Sequence, residues 1–164
     1  MAENDERRQN RISKLEELRS QGYDPYPARA NFTHNNAQAV ASFEDDAEEQ
    51  PMVRVTGRLR SIRIMGRSTF AHIADSSGQI QLYLRQDELG QEDYDRFCDQ
   101  IDIGDFVAAE GPLFRTRTGE ITVRVQEWRF LSKALRPLPE KWHGLRDVET
   151  RYRQRYLDLI ANDD

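Results

Sequence analysis

The stretch STFAHIADSSGQIQLYL, residues 68–84, alternates apolar and polar side chains on both sides of a Ser-Ser-Gly turn. Alternation with a period of two, interrupted by a glycine turn, is typical of a β-hairpin that has one face in the protein core. The side chains in the core phase are Ala71, Ile73, Ile80, Leu82 and Leu84. Phe70 falls in the opposite phase, together with His72 and Tyr83, so the pattern predicts a large apolar ring on the polar face of the hairpin.

The segments that flank this hairpin predict three more strands. Residues 53–64 alternate in the same way and predict a long, curved first strand, in which Gly57 indicates a bulge or a bend. Residues 106–116 and 120–131 alternate again, and the Thr-Gly pair between them predicts the turn of a second hairpin. The chain therefore contains five predicted strands.

One predicted helix separates the third strand from the fourth. Residues 92–101 carry Tyr94, Phe97 and Ile101 at helical spacing within an otherwise acidic segment, which predicts a short helix with one face on the core. Three strands, a helix and two strands is the element order of the OB-fold, a five-stranded Greek-key barrel. We therefore predict a mainly β protein with this barrel; a generic small β-barrel is the alternative.

The barrel accounts for about half of the chain, and the rest divides into two flanking regions. Residues 1–50 contain an amphipathic N-terminal helix, predicted over 5–21, followed by an extended segment and an acidic connector. Residues 51–134 form the predicted barrel domain. Residues 135–164 comprise a linker and a C-terminal helix.

Composition excludes several classes of protein. No apolar run approaches the ~20 residues that a membrane-spanning helix needs, and the charged N-terminus is unlike a secretory signal. The single cysteine, Cys98, cannot form an internal disulfide, which favours a cytoplasmic setting. The 3 histidines lack ligand spacing, and the acidic run at residues 44–49 is typical of a solvated connector, so we expect no metal site.

Charge is distributed unevenly along the chain. The net charge is −5, but residues 53–86 carry +5 and residues 111–141 carry +4, whereas residues 87–110 carry −8. The positive charge therefore coincides with predicted strands and the negative charge with the predicted helix. This pattern indicates a basic face that suits phosphate binding on an acidic protein.

The polar face of the hairpin is a candidate site for single-stranded nucleic acid. OB-folds bind such strands on the face of strands 2 and 3, between the loops that follow strands 1 and 4. Phe70 would offer a ring on which a base can stack, although a phenylalanine covered by a loop fits the pattern equally well. Gln81, Arg63 and Glu120 are expected near it. Candidate contacts to the nucleic-acid backbone are Arg58, Arg60, Arg67, Arg85, Arg115 and Arg117.

Three motifs resemble one known family. SIRIMGRSTFAHIADSSGQIQLYL (61–84), GDFVAAEGPLFRTRTGEIT (104–122) and KALRPLPEKWHGLRDVETRYRQRYLDLI (133–160) resemble the N-terminal portion of bacterial-type class II lysyl-tRNA synthetases. The likeness runs from about Ile12 to the last residue, and the third motif is its most specific part.

The resemblance implies an anticodon-binding OB domain that reads the uridine-rich anticodon of a lysine tRNA. By position, the stacking phenylalanine of the family falls on Phe70 and its base-reading glutamine on Gln81. The loop glutamate of the family falls on Glu120, and its arginine before the Ile-Met-Gly turn falls on Arg63. The implied partner is the anticodon stem-loop of lysine tRNA.

The resemblance also implies a larger parent enzyme. Such an enzyme joins lysine to its tRNA with ATP and Mg²⁺, acts as a homodimer, and carries its catalytic motifs beyond residue 164. Residues 135–164 would then begin the catalytic domain, with Tyr152, Tyr156, Leu159 and Ile160 as an uncovered interface. We therefore expect the chain to hold no cofactor and to be inactive by itself. The alternative is a free-standing OB-fold adaptor that binds nucleic acid or protein.

Overall fold

The structure is a computed structural model that describes residues 2–138 and 147–162. The N-terminal region and the barrel contain α1 (Ala2–Ser20), α2 (Asn36–Ala41), β1 (Met52–Met65), β2 (Ser68–Ala74), β3 (Gln79–Arg85), α3 (Gln86–Leu89) and α4 (Gln91–Gln100). The remaining elements are β4 (Phe106–Arg115), β5 (Ile121–Val125), β6 (Glu127–Ser132), α5 (Val148–Arg153) and α6 (Arg155–Ala161). Residues 139–146, which belong to the third motif, lie outside the described residues.

The strands close into a barrel, which confirms the predicted OB-fold. β1 pairs with β2 and β2 with β3, both antiparallel, and β3 pairs with β5 in parallel. β4 then pairs with both β5 and β1, and this closes the ring. The predicted fifth strand is interrupted at Gln126, whose N–H donates to the carbonyl oxygen of Glu110 at 2.8 Å. β5 and β6 therefore follow β4 as two consecutive pieces of one bent strand.

A β-bulge in β1 decides which of its side chains face outward. The register against β2 shifts between Leu59 and Ser61, and the extra residue reverses the alternation of the strand. Before the bulge the odd-numbered residues such as Val55 and Leu59 are buried; after it Ile62 faces the core and Arg63 is exposed. Gly57 is not the bulge. A Cβ there would lie 2.7 Å from the carbonyl oxygen of Ala74, so Gly57 permits a close approach of β1 to β2.

The core is filled from the strands and from α4. Phe97 is fully buried and meets the ring of Trp128 edge-on, with centroids 5.0 Å apart. Tyr94 is also buried, and its hydroxyl oxygen lies 2.9 Å from Oγ1 of Thr69. The prediction of an acidic helix with one apolar face on the core is confirmed, because these residues share one side of α4.

The segment between α1 and β1 contains a helix that the sequence pattern did not predict. α2 begins with a capping box in which Asn35 accepts from the N–H of Gln38 while the Gln38 side chain accepts from the N–H of Asn35. Asn36 is fully buried, and its amide donates to the carbonyl oxygen of Gly78 at 3.1 Å. The helix has only 6 residues, too few to show an apolar period.

The C-terminal segment forms two short helices rather than the single predicted one. They are separated at Gln154. Asp158 is buried and accepts from Nε of Arg151 at 2.6 Å. The carbonyl oxygen of Ile160 accepts from Arg60 of the barrel at 2.6 Å, whereas Tyr152 is 81% exposed. No helix in the described ranges 2–138 and 147–162 has the length and apolar content to span a membrane.

Candidate nucleic-acid interface

Two rows of side chains run across the outer face of β1, β2, β3 and β5. We call the first the aromatic row; it contains Arg63, Phe70, Tyr83 and Arg124, which are successive partners in the strand register. We call the second the amide row; it contains Ser61, His72, Gln81 and Thr122 in the same order. Adjacent rows are two residues apart along each strand, about 7 Å.

Phe70 lies half-buried on this outer face and stacks on Tyr83. The two ring centroids are 4.6 Å apart and the planes are inclined by 28°. Tyr83 in turn contacts Phe114 of β4, with centroids 5.7 Å apart. Tyr83, which itself packs on Phe114, therefore holds the Phe70 ring in place, and an aromatic surface remains on the face of strands 2 and 3.

Thr122 sets the orientation of the Gln81 amide. The Thr122 hydroxyl is fully buried and donates to Oε1 of Gln81 at 2.9 Å. With its oxygen used in this way, the amide directs its Nε2 donor away from β5 and along the amide row, 3.4 Å from Nε2 of His72. An amide nitrogen carries two N–H groups, so one donor remains beside the aromatic pair when the other points to His72.

His72 connects the hairpin loop to the sheet. Its Nε2 lies 2.7 Å from Oε1 of Glu120, and its Nδ1 lies 3.0 Å from Oγ of Ser61. Glu120 precedes β5, so the imidazole brings a loop carboxylate onto the amide row. Three of the predicted residues, Phe70, Gln81 and Glu120, thus lie on adjoining rows, and Arg63 is the strand neighbour of Phe70.

The arginines predicted to contact a nucleic-acid backbone fall into two groups. Arg67 and Arg117 are exposed, and their side chains, like that of Arg63, have no hydrogen bond or ion pair with the described part of the chain. Arg85 pairs with Asp87, and Arg115 pairs with Asp45 at 2.9 Å. These pairs are exposed, so each contributes little stability and can exchange for a phosphate.

Arg58 lies before the β1 bulge and Arg60 is the extra residue of the bulge; both side chains contact other parts of the protein. The Arg58 guanidinium lies 4.4 Å from the ring centroid of Phe106. Burial lowers the pKa of Arg58, and the nearby charge of Arg60 lowers it further. Arg60 donates to the carbonyl oxygen of Ile160 at 2.6 Å. The structure therefore separates these two side chains from the aromatic row.

The barrel matches a family of OB-fold nucleic-acid-binding domains that is named for the tRNA anticodon; the match covers residues 53–131. The family match covers all four strands that carry the aromatic and amide rows.

The whole chain is similar to lysine–tRNA ligases. It is 52% identical to the enzyme of Pelotomaculum thermopropionicum over 152 residues, which are 93% of this chain and 29% of that protein. It is 44% identical to the enzyme of Thermosipho melanesiensis over 161 residues and 49% identical to that of Roseiflexus castenholzii over 158 residues; each match covers 96% of this chain and 32% of the relative. The predicted resemblance to the N-terminal region of lysyl-tRNA synthetases is confirmed, and the chain spans about a third of the length of these relatives.

Sequence reasoning assigned no role to three residues that shape this OB-fold face. The alternation of polar and apolar residues placed His72 and Tyr83 on the outer face but could not show their partners. Thr122 was missed because a threonine in a strand gives no signal of its own; its hydroxyl becomes informative only once β3 is known to pair with β5.

The acidic connector contacts the surface of the barrel. Asp45 contacts Arg115, whose guanidinium also lies 5.2 Å from the ring centroid of Phe43. Within residues 2–138 and 147–162, no group of three or more histidine, cysteine, aspartate or glutamate side chains could hold a metal ion.

Proposed function

We propose that the chain is the anticodon-binding region of a lysine–tRNA ligase and that it binds the anticodon stem-loop of a lysine tRNA. The observation that carries this proposal is the Phe70–Tyr83 stack beside the oriented amide of Gln81. The family match to the barrel and the similarity to lysine–tRNA ligases support it independently.

In this proposal an unstacked base lies on Phe70 and its edge meets Gln81. Stacking accepts any base, because every base has a π-face, so Phe70 contributes affinity more than selectivity. The Nε2 of Gln81 donates, and uracil presents carbonyl oxygens that accept. Cytosine presents an amino donor in place of O4, so the amide would face a donor there and discriminate against it.

Glu120 and Arg63 complete the proposed contacts at the two ends of the site. Glu120 is a carboxylate acceptor that His72 holds toward the sheet, and it can accept from a base N–H. Arg63 is exposed next to Phe70 and can neutralise the phosphate of the stacked nucleotide. The other exposed arginines, Arg67, Arg85, Arg115 and Arg117, would add electrostatic attraction to the RNA backbone.

We propose the following division of the chain. Residues 1–50 provide α1 and the connector, residues 51–134 the anticodon-binding barrel, and residues 135–164 the beginning of the catalytic domain. The exposed side chains of Tyr152, Tyr156 and Leu159, at 81%, 58% and 63%, are consistent with a surface that a further domain covers. Relatives about three times as long support the presence of such a domain.

Catalysis belongs to the remainder of the parent enzyme in this proposal. ATP, Mg²⁺ and lysine would bind there, the homodimer would form there, and the enzyme would act in the cytoplasm, where tRNA is charged. The 164-residue chain is therefore expected to support no lysine-dependent exchange of pyrophosphate into ATP.

The decisive experiment measures binding of anticodon stem-loops by fluorescence anisotropy at several salt concentrations. A stem-loop with the lysine anticodon should bind roughly tenfold more tightly than one with cytidine at the middle position. The affinity should fall as salt rises, because the arginines displace counterions from phosphates. Equal affinity for both stem-loops would contradict anticodon reading and would favour the adaptor alternative.

A further inference from the structure

Arg60 connects the barrel to the C-terminal helix α6. Its guanidinium donates to the carbonyl oxygen of Ile160 at 2.6 Å, across 100 positions of the chain, and the contact is partly buried. Ile160 lies in the last turn of α6, where carbonyl oxygens have no N–H partner within the helix. A cation at this end of a helix satisfies such an oxygen and interacts favourably with the helix dipole. Arg60 therefore binds the end of α6 to the barrel.

The other end of the C-terminal region is also bound to the rest of the protein. The carbonyl oxygen of Ala134 accepts from Nη1 of Arg11 at 3.1 Å, and the N–H of Ala134 donates to Oδ1 of Asp105 at 2.7 Å. The carbonyl oxygen of Lys133 accepts from the hydroxyl of Tyr26 at 2.7 Å. These contacts fix the direction in which the chain leaves β6, and α6 then meets the barrel again through its own last turn.

The bulge of β1 separates Arg60 from the residues that face the proposed RNA site. Arg60 is the extra residue between Leu59 and Ser61, so no residue of β2 lies opposite it. The next residue, Ser61, belongs to the amide row, and its Oγ lies 3.0 Å from Nδ1 of His72. Two consecutive residues of β1 thus serve two surfaces, because Arg60 contacts the C-terminal region and Ser61 contacts the RNA-facing sheet.

α6 contacts the barrel on one side only. Ile160 is half-buried, whereas Tyr156 and Leu159 are 58% and 63% exposed. The helix is therefore bound to the barrel and still offers large apolar side chains to a further domain. A domain that packs on these side chains takes its position from the place where α6 meets the barrel.

We propose that Arg60 is a positioning residue, which docks α6 on the barrel and so sets the position of the catalytic domain relative to the anticodon site. This inference rests on the proposed function, because it assumes that the barrel binds the anticodon and that residues 135–164 begin the catalytic domain. A tRNA would then contact two sites of one protein, and the two contacts reinforce each other only when the geometry permits both at once. Arg60 acts through α6 and does not touch the RNA.

Amide hydrogen exchange in the 164-residue chain tests the docking contact. Arg60→Ala should make residues 155–161 exchange roughly fivefold faster or more, because α6 loses its contact with the barrel and opens more often. Arg60→Lys keeps a donor and should recover part of the protection. Arg129→Ala is the matched control, since Arg129 is an exposed arginine of β6 that pairs with Glu127. Unchanged exchange in Arg60→Ala, or an equal effect of Arg129→Ala, would overturn the docking contact.

Aminoacylation by the full-length parent enzyme tests the positioning role with the same three variants. Arg60→Ala should raise the KM for lysine tRNA roughly tenfold, because the two contacts with the tRNA no longer form together. Arg60→Lys should recover part of this loss, and Arg129→Ala should cause none. Lysine-dependent exchange of pyrophosphate into ATP should be unchanged, because it involves no tRNA. The affinity of the 164-residue chain for the anticodon stem-loop should also be unchanged, since Arg60 lies apart from the aromatic row.

The outcomes separate a positioning role from a structural role and from an RNA contact. An unchanged KM for tRNA, or a parallel loss of pyrophosphate exchange, would overturn the positioning role. A loss of stem-loop affinity as large as the rise in KM would show that Arg60 contacts RNA, and it would overturn the inference while leaving the proposed function intact. If the unsubstituted chain fails to bind the stem-loop, the proposed function fails and the positioning role with it, but hydrogen exchange still decides whether Arg60 docks α6.

Discussion

The outer face of the barrel and the junction beneath α1 both gather charged side chains, but they differ in burial. At the junction, Lys133 and Asp105 are completely buried, and Nζ of Lys133 lies 2.7 Å from Oδ2 of Asp105. Asp105 also accepts from the N–H groups of Asp102 and Ala134. We call this set, together with Lys14, the buried ion cluster. Beside the amide row, by contrast, the loop residue Glu120 is 43% exposed and has His72 as its side-chain partner.

The difference shows which polar groups are free to bind a ligand. In the buried ion cluster every carboxylate is already paired, since Asp102 contacts Lys133 at 2.5 Å and Lys14 at 2.9 Å. The cluster joins α1, the loop before β4 and the segment after β6, and so it stabilises the arrangement of those elements. On the outer face, the Arg63 side chain has no partner among the described residues, and the Gln81 amide keeps one N–H donor, which leaves hydrogen-bonding capacity for RNA.

The largest expected effect is that of Lys133→Met on stability. Removing the ammonium leaves Asp105 buried without its counter-ion, and breaking a buried pair typically costs about 3–5 kcal/mol. Urea unfolding followed by circular dichroism measures the change. Lys14→Met is the control, since Lys14 is partly exposed and the loss should be about 1 kcal/mol or less. Similar losses for both variants would contradict the distinction between the buried pair and the half-exposed one.

Phe70→Ala should weaken RNA binding and leave stability nearly unchanged, whereas Lys133→Met should lower stability. Loss of the stacking ring should weaken binding to the anticodon stem-loop by about 1–3 kcal/mol. The melting temperature should change little, because Phe70 lies half-buried on the outer face and its removal leaves no core cavity. Leu82→Ala is the matched core control on β3 and should cost about 2–5 kcal/mol of stability. A Phe70→Ala protein that melts as low as Leu82→Ala would show that the ring is structural.

His72→Ala should affect selectivity at the outer face. Without the imidazole, Glu120 loses its side-chain partner, and the carboxylate is no longer directed to the amide row. We expect a loss of about 1 kcal/mol in the preference for the lysine anticodon, the usual net value of one hydrogen bond. The measurement compares stem-loops that differ by single anticodon bases. His72→Gln can restore a donor and should recover part of the preference, which a purely structural role would not predict.

The smallest expected effect is on stability at low pH. It arises from Asp102 and Asp75, whose pKa values are lowered in the folded protein, and not from the exposed carboxylates. Burial acts to raise the pKa of Asp102, but hydrogen bonds and charges from Lys133 and Lys14 outweigh it and hold the pKa below its ordinary value. Burial also acts to raise the pKa of Asp75, but hydrogen bonds from Ser77 and from the N–H groups of Asn36 and Gly78 outweigh it and lower this pKa. Because both folded-state pKa values are lowered, the associated stability is present above about pH 4 and is lost as the pH falls through the folded values.

Unfolding measured from pH 6 to pH 2 tests this pH dependence. The parent should lose stability mainly below pH ~4. Asp75→Asn should show a shallower decline in that range, whereas Glu127→Gln, an exposed control on β6, should decline as the parent does. An Asp75→Asn profile parallel to that of the parent would contradict the role of the carboxylate.

Several features of the fold were predictable because their signals are local. Alternation in β2 and β3 placed Phe70 on the outer face and Leu82 in the core. Helical spacing identified Tyr94 and Phe97 as the buried side of α4. These patterns extend over fewer than ten residues, so a single sequence contains all of the information that they require. The roles of Phe70, Gln81, Glu120 and Arg63 in reading an anticodon remain predictions.

Other features depended on contacts between distant residues. Lys133 and Asp105 are separated by 28 positions, and His72 and Glu120 by 48, so neither pair could be recognised from spacing. The helix α2 was missed because its capping box at Asn35 lies in a segment rich in turn-forming residues. The break at Gln126 follows from pairing with β4, which alternation within one strand does not reveal.

The sequence by itself determined that the chain forms an OB barrel, that Phe70 faces outward, and that basic charge accompanies the strands. The tertiary structure decided which groups meet on that face. The bulge between Leu59 and Ser61 turned Arg63 outward beside Phe70, and the parallel pairing of β3 with β5 brought Thr122 to Gln81. The physical reason is that side-chain phase is set by neighbouring residues, whereas strand register is set by hydrogen bonds between segments far apart in the chain.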